Sequence, residues 1–259
     1  MLDLFSFDVP GGGRHRFNLE SLFHKYEVNI ESHTASLLKK LAGRSSDIKT
    51  EIVDLFAAKR LNFIRNPFCI EKVLSSFAGV AGLKPTDADL PATYRRIPAG
   101  RKPHQAHLCS ELCISDQKYS EWLRLLFMLL APLGSGQPIL YEGVVKDLLE
   151  NRRTHIATFV GVYDEARCLL SDRRFSQPIP DGAHIAMSFN LCAHAFIDYV
   201  ITDPTTLLGG RVRPESLTRA LASWEQRPMA TINVTVRRND RNMLVRYNRR
   251  VIEQCYKRV

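Results

Sequence analysis

The hydrophobic pattern of the chain changes period at His155, and that change limits the fold more than any other feature. Before it, apolar residues recur at the three-to-four spacing of helices. Leu22, Phe23, Tyr26, Ile30, Leu37, Leu38 and Leu41 predict one helix from Leu19 to Leu41, closed by Gly43. Gly11–Gly13 predict a flexible turn ahead of Asn18, which can cap that helix. Ile48, Ile52, Leu55, Phe56 and Phe63 predict a second helix after Ser45–Ser46. It stops near Arg65–Asn66, because Pro67 disfavours helical backbone in the residue before it. Cys69–Ala81 is a third apolar segment. Ser115 is placed to cap a strongly apolar helix through Leu130, with Trp122, Leu125, Leu126 and Leu129 facing inward. Gly134–Gly136 break it, and Pro138 suits the first turn of another helix running to about Arg152.

After His155 the runs IATFVGVY, RCLLSD and HIAMSFNL are short, β-prone and separated by turn residues. Helix returns at Pro214–Trp224 and again within Asn239–Tyr256. The expected class is α+β: a mainly helical N-terminal half, a small sheet in the second half and a basic C-terminal helix. Residues 1–18 read as an N-terminal extension and 19–259 as a single domain. Pro85, Pro91, Pro98 and Pro103 make 83–114 a Pro-rich connection.

With 45% hydrophobic and 24% charged residues, the chain has enough apolar surface to exclude disorder as its main state. Six cysteines are too few for a disulfide framework at this length. The first residues, MLDLFSFDVPGGG, have neither a basic start nor an apolar core of signal length. The longest apolar run, Leu123–Leu133, contains Arg124 and is too short to span a bilayer. The expectation is a cytoplasmic protein with reduced thiols and no membrane partner.

Charge is distributed unevenly. Residues 207–259 hold twelve Lys/Arg against four acids, a net +8, whereas the first 206 residues are nearly neutral at +1. All but Lys257 of those twelve cations are arginine, the side chain best shaped for bidentate contact with phosphate or carboxylate. Such an asymmetry points to nucleic acid, anionic lipid or an acidic partner.

Several clusters have the residue types of chemical sites. His104, His107, Cys109 and Cys113 are all zinc-ligand types, but their spacing crowds four ligands into one short segment. Glu27 and Glu31 lie a helical turn apart, and Asp164, Glu165 and Asp172 flank a β-prone run, where acids can hold a divalent metal. There is no phosphate-binding glycine loop, dinucleotide fingerprint or His-Glu-x-x-His, so no cofactor is named by any motif.

Five segments together resemble a large family of bacterial proteins known as a domain of unknown function. They are NIESHTASLLKKL around Glu31, FAAKRLNFIRNP ending at Arg65–Pro67, and CLLSDRRF with Ser171–Asp172. HIAMSFNL around Asn190 and NDRNMLVRYNRRV near Asn242 complete the set. The family's usual opening His-Phe-Val-Pro is replaced by LFSFDVP, and Arg173–Arg174 stand where Ser-Asp would lead to Pro. The resemblance implies a bacterial or phage setting, with no established chemistry.

The expected function is nucleic-acid binding through Arg237, Arg238, Arg241, Arg246, Tyr247, Arg249 and Arg250, the arginines neutralising phosphates and the tyrosine stacking on bases. One alternative is a metal-dependent nuclease or toxin-like effector with Glu31, Arg65 and Asp172 as catalytic residues. Another is an interaction protein whose basic helix docks on an acidic protein.

Overall fold

The computed structural model describes residues 5–8, 16–81, 83–85, 90–102, 104–131, 139–151, 154–178, 184–209, 213–226 and 232–257. The turn at Gly11–Gly13, the break at Gly134–Gly136 and the helix-starting Pro138 lie outside these residues. The contact pattern divides the chain into two compact units: 1–30 with 57–144, and 31–56 with 145–259.

The first unit is helical. A two-stranded ladder, β1 (Ser6–Asp8) with β2 (Arg16–Asn18), leads into α1 (Glu20–Glu27). The described residues of the predicted extension therefore pack on the unit: Phe5 and Phe7 are buried, and the Phe5 ring meets Phe23 edge-on at 4.9 Å. The single helix predicted from Leu19 to Leu41 is two, α1 and α2 (Ile30–Ala42), with Val28–Asn29 between them. Helix α3 (Lys49–Ile64) contributes residues to both units and ends where Pro67 requires. Asn66 accepts the Phe68 N–H and opens a 3-10 turn, Pro67–Cys69, before α4 (Ile70–Ser76) and α5 (Ala78–Ala81). The stretch expected as a connection folds into α6 (Leu90–Arg96) and α7 (Gln105–Leu112), which bury Tyr94, Leu108 and Leu112. The prolines misled because a helix tolerates one near its start, as Pro91 shows in α6.

Helix α8 (Asp116–Leu130) is the axis of this unit. Ser115 accepts the Lys118 N–H at 3.2 Å, and nine residues of the helix are buried. Trp122 is fully buried and donates its indole N–H to Ile64 O at 2.8 Å, so its one polar atom is satisfied. The unit ends within α9 (Leu140–Glu150).

The second unit is a sheet with helices on both faces. Strands β3 (His155–Val162), β4 (His184–Cys192), β5 (Ala195–Thr202) and β6 (Ile232–Arg238) lie in the order β4-β5-β3-β6. β4 and β3 flank β5 antiparallel, and β6 joins β3 in parallel after α10 (Pro204–Gly209) and α11 (Pro214–Glu225). The run RCLLSD forms no strand. Helix α12 (Arg241–Gln254) closes the unit, capped by Asp240, whose carboxylate accepts the Met243 N–H at 3.0 Å.

Cross-strand register assigns the two sheet faces. Ile201, Tyr199 and Ile197 share one face with Ile156, Thr158 and Val160 of β3 and with Ile232, Val234 and Val236 of β6. Tyr199 meets Phe56 at 4.9 Å on that side and donates its hydroxyl to Ile52 O at 2.8 Å. Phe196, Asp198, Gly161 and Arg237 share the opposite face, against which α12 packs.

Candidate nucleic-acid interface

Helix α12 is amphipathic, and its two faces separate the predicted binding residues. Leu244, Tyr247 and Val251 are buried, as the spacing of three and four predicts. Tyr247 stacks on Phe196 with ring centroids 3.9 Å apart and planes 5° from parallel, and donates its hydroxyl to Leu169 O at 2.8 Å. Phe196 lies in turn over Gly161, where a Cβ would meet its ring at 2.7 Å. The missing side chain of Gly161 is what lets this stack close on the sheet. The expectation that Tyr247 stacks on bases is corrected: its ring is already covered by protein on the side that would meet a base.

Arg250 is corrected in the same way. It reaches over the sheet to Asp198, with its Nη2 3.3 Å from one carboxylate oxygen and 3.2 Å from Ser188 Oγ. Ser188 also donates to Asp198, its cross-strand neighbour. Burial pushes the Asp198 carboxyl above its ordinary range, and Arg250 and Ser188 offset only part of that. Arg250 is therefore a partner for a buried acid.

The outward face differs. Arg241, Arg246 and Arg249 are exposed, as are Val245 and Ile252 of the same helix. None of the three arginines forms an ion pair among the described residues; Arg246 only returns its Nε–H to Asn242 O at 3.3 Å. Arg237, exposed at the end of β6, precedes the helix by the short turn of Asn239 and Asp240. Asn239 adopts a left-handed φ of 53° and exchanges hydrogen bonds with Asp164, which fixes the turn. Arg238 points to the other sheet face and donates to Leu41 O at 3.1 Å. The sequence list thus resolves into Arg237, Arg241, Arg246 and Arg249 on an open surface, with Arg238, Tyr247 and Arg250 engaged elsewhere.

Arg65 belongs to the first unit and Glu31 and Asp172 to the second, and each has its own local setting. Glu31 is exposed in the first turn of α2, where a negative charge favours the helix start. Arg65 finds its acids in Glu20 and Glu27 and lies over the Phe23 ring at 5.1 Å. Asp172 accepts the backbone N–H groups of Tyr256, at 2.9 Å, and Lys257, at 2.6 Å. Asp164 is held by Asn239 and Glu165 by Arg167. No group of three or more metal-ligand side chains is gathered among the described residues. In HQAHLCSELC, His104 and Cys113 flank α7, and Cys109 faces Asp116, whose carboxylate helps burial push the thiol up to about 11.

Sequence reading missed how α12 ties down residues 167–177. Asn248 donates to Arg167 O at 2.8 Å and accepts the Leu169 N–H at 3.1 Å. Gln254 both donates to and accepts from the Gln177 backbone. Asn190 donates to Leu169 O at 3.2 Å. Burial in this region pushes the Cys168 thiol and the Tyr163 phenol each up to about 12, so neither is an activated nucleophile.

No family model matches the chain, and neither a curated protein nor a solved structure was found similar to it. No helix among the described residues is long and apolar enough to cross a membrane.

Proposed function

We propose that this chain binds nucleic acid through the outward face of α12, with Arg241, Arg246 and Arg249 on phosphates and Arg237 extending the surface. The observation that carries this reading is that these arginines are exposed and unspent on internal acids, while the same helix is fixed by its other face. Cations on a rigid helix neutralise backbone charge with little loss of order on binding. With Tyr247 stacked on Phe196, the four outward arginines supply phosphate contacts rather than base stacking, which favours sequence-independent binding. The likeness to the domain-of-unknown-function family belongs to this proposal too; its Ser-Asp and late Asn segments coincide with residues that join α12 to 167–177.

Val245 and Ile252, exposed at 57% and 54% on the same face, favour a second reading in which α12 docks on an acidic protein. Fluorescence anisotropy with labelled duplex DNA, single-stranded DNA and single-stranded RNA separates the two. Four phosphate contacts predict roughly a hundredfold loss of duplex affinity between 50 and 200 mM salt. Affinity that ignores salt, or no binding to any of the three, would contradict the nucleic-acid reading.

A further inference from the structure

A cleft of about 710 Å³ opens on the face of the sheet opposite α12, entirely within the second unit. Leu41, Ile48 and Ile52 line it from the helical layer, and Ile232, Val234 and Val236 from β6. It exists because β6 is a half-buried strand at the end of the sheet order, incompletely covered by the helices that bury β3 and β5. The floor is branched aliphatic, with no aromatic ring among the described residues that line it.

The cleft's polar side is cationic. Arg44, Lys49 and Arg238 line it with the hydroxyl residues Ser45 and Ser46, and among the described residues no acid does. The nearest acids in sequence are directed elsewhere. Glu51 is buried against Lys40, at 2.8 Å, and Ser36, at 2.7 Å; burial pushes its carboxyl up, but those hydrogen bonds outweigh it and hold it below its ordinary range. Asp47 is exposed and lies 3.9 Å from Lys40.

Arg44 is held there at a cost. It has a left-handed φ of 57° just after α2, the position at which helices usually place glycine. Gly43, its neighbour, shows no such φ, so the chain has a glycine at hand and still uses the arginine for the left-handed turn. The Arg44 backbone N–H closes the turn on Leu41 O, and the Arg238 guanidinium donates to the same carbonyl, so the Arg44 backbone and the Arg238 head meet at one point.

We propose that this cleft binds a small anionic amphiphile: an aliphatic chain on the Leu, Ile and Val floor, with a carboxylate or phosphate head between Arg44, Lys49 and Arg238. The volume lies in the range of small-molecule sites. Three uncompensated cations specify a negative head, and a floor without rings offers a nucleobase nothing to stack on.

Calorimetric titration of the full chain with octanoate, octyl phosphate and octanol tests this. One or both anions bind, and which is tighter identifies the head group. Octanol binds about tenfold or more weakly, a difference worth one lost charged contact. Arg44→Glu and Lys49→Glu, both at exposed positions, each weaken anion binding by a similar factor. Arg44→Gly weakens it as well while raising the melting temperature, an outcome that general unfolding cannot mimic. Absence of binding by both anions, equal binding of the alcohol, or affinity unchanged in both charge reversals would each overturn the proposal. None of these variants alters the outward face of α12, so this result and the nucleic-acid reading stand or fall separately.

Discussion

The two faces of α12 carry arginines that came from the same basic stretch of sequence and have opposite fates. Arg250 faces inward, meets Asp198 and Ser188 on the sheet, and is consumed in compensating a buried acid. Arg241, Arg246 and Arg249 face outward and have no internal acid among the described residues. Charge count alone cannot make that distinction; helical phase does, because residues three and four apart share a face. The lesson is that only part of a basic segment is available to a partner, and the remainder holds the segment in place.

The sharpest way to break this comparison is to attack the inward face. Tyr247→Ala removes the ring stacked on Phe196 and should cost about 4 kcal/mol, read from the denaturant midpoint. Arg250→Ala leaves the Asp198 carboxylate without its cation and should cost about 3 kcal/mol in the same assay. Gly161→Ala forces a Cβ against the Phe196 ring, which Tyr247 prevents from moving away, and should cost about 2 kcal/mol.

Asp198 adds a dependence on pH. Its raised pKa means that the folded chain holds this proton more tightly than the unfolded chain. The stability it contributes is complete below the ordinary aspartate range and is lost as pH rises through its folded value. Asp198→Asn should remove that component, with a change in slope of at most about 1.4 kcal/mol per pH unit. An unchanged stability profile in Asp198→Asn would show that the buried carboxyl does not titrate differently on folding.

The outward face should give the smallest effect on stability. Arg241→Ala, Arg246→Ala and Arg249→Ala should each shift folding by less than about 0.5 kcal/mol, as surface changes do, while still weakening nucleic-acid binding.

Much of the fold was legible because local signals agreed with packing. The Ser115 cap and the apolar α8, the IATFVGVY and HIAMSFNL strands, the Pro214 helix start and the late basic helix all appear where periodicity placed them. Other elements were hidden by conflicting signals. Pro91 and Pro98 obscured α6 and its surroundings, whereas INVTVRR does carry the alternation of a half-buried strand in Ile232, Val234 and Val236, a signal that sequence reading missed. The single helix through Glu27–Ile30 failed because hydrophobic spacing continues across a break that only Val28 and Asn29 reveal. The site was less legible than the fold. Whether Tyr247 stacks on a base or on Phe196 depends on Gly161, eighty-six residues earlier in the chain. Likewise, Asp172 as an acceptor for Tyr256 and Lys257 is a contact between distant segments that no local motif encodes.

The most direct test of the central claim is the salt dependence of duplex-DNA binding by the triple variant Arg241→Ala/Arg246→Ala/Arg249→Ala, measured beside the parent chain. If the outward arginines bind phosphates, the slope of log affinity against log salt falls by about 2.7 while stability stays close to that of the parent. A slope equal to the parent's in a folded triple variant would contradict the assignment of the outward face of α12 as the nucleic-acid surface.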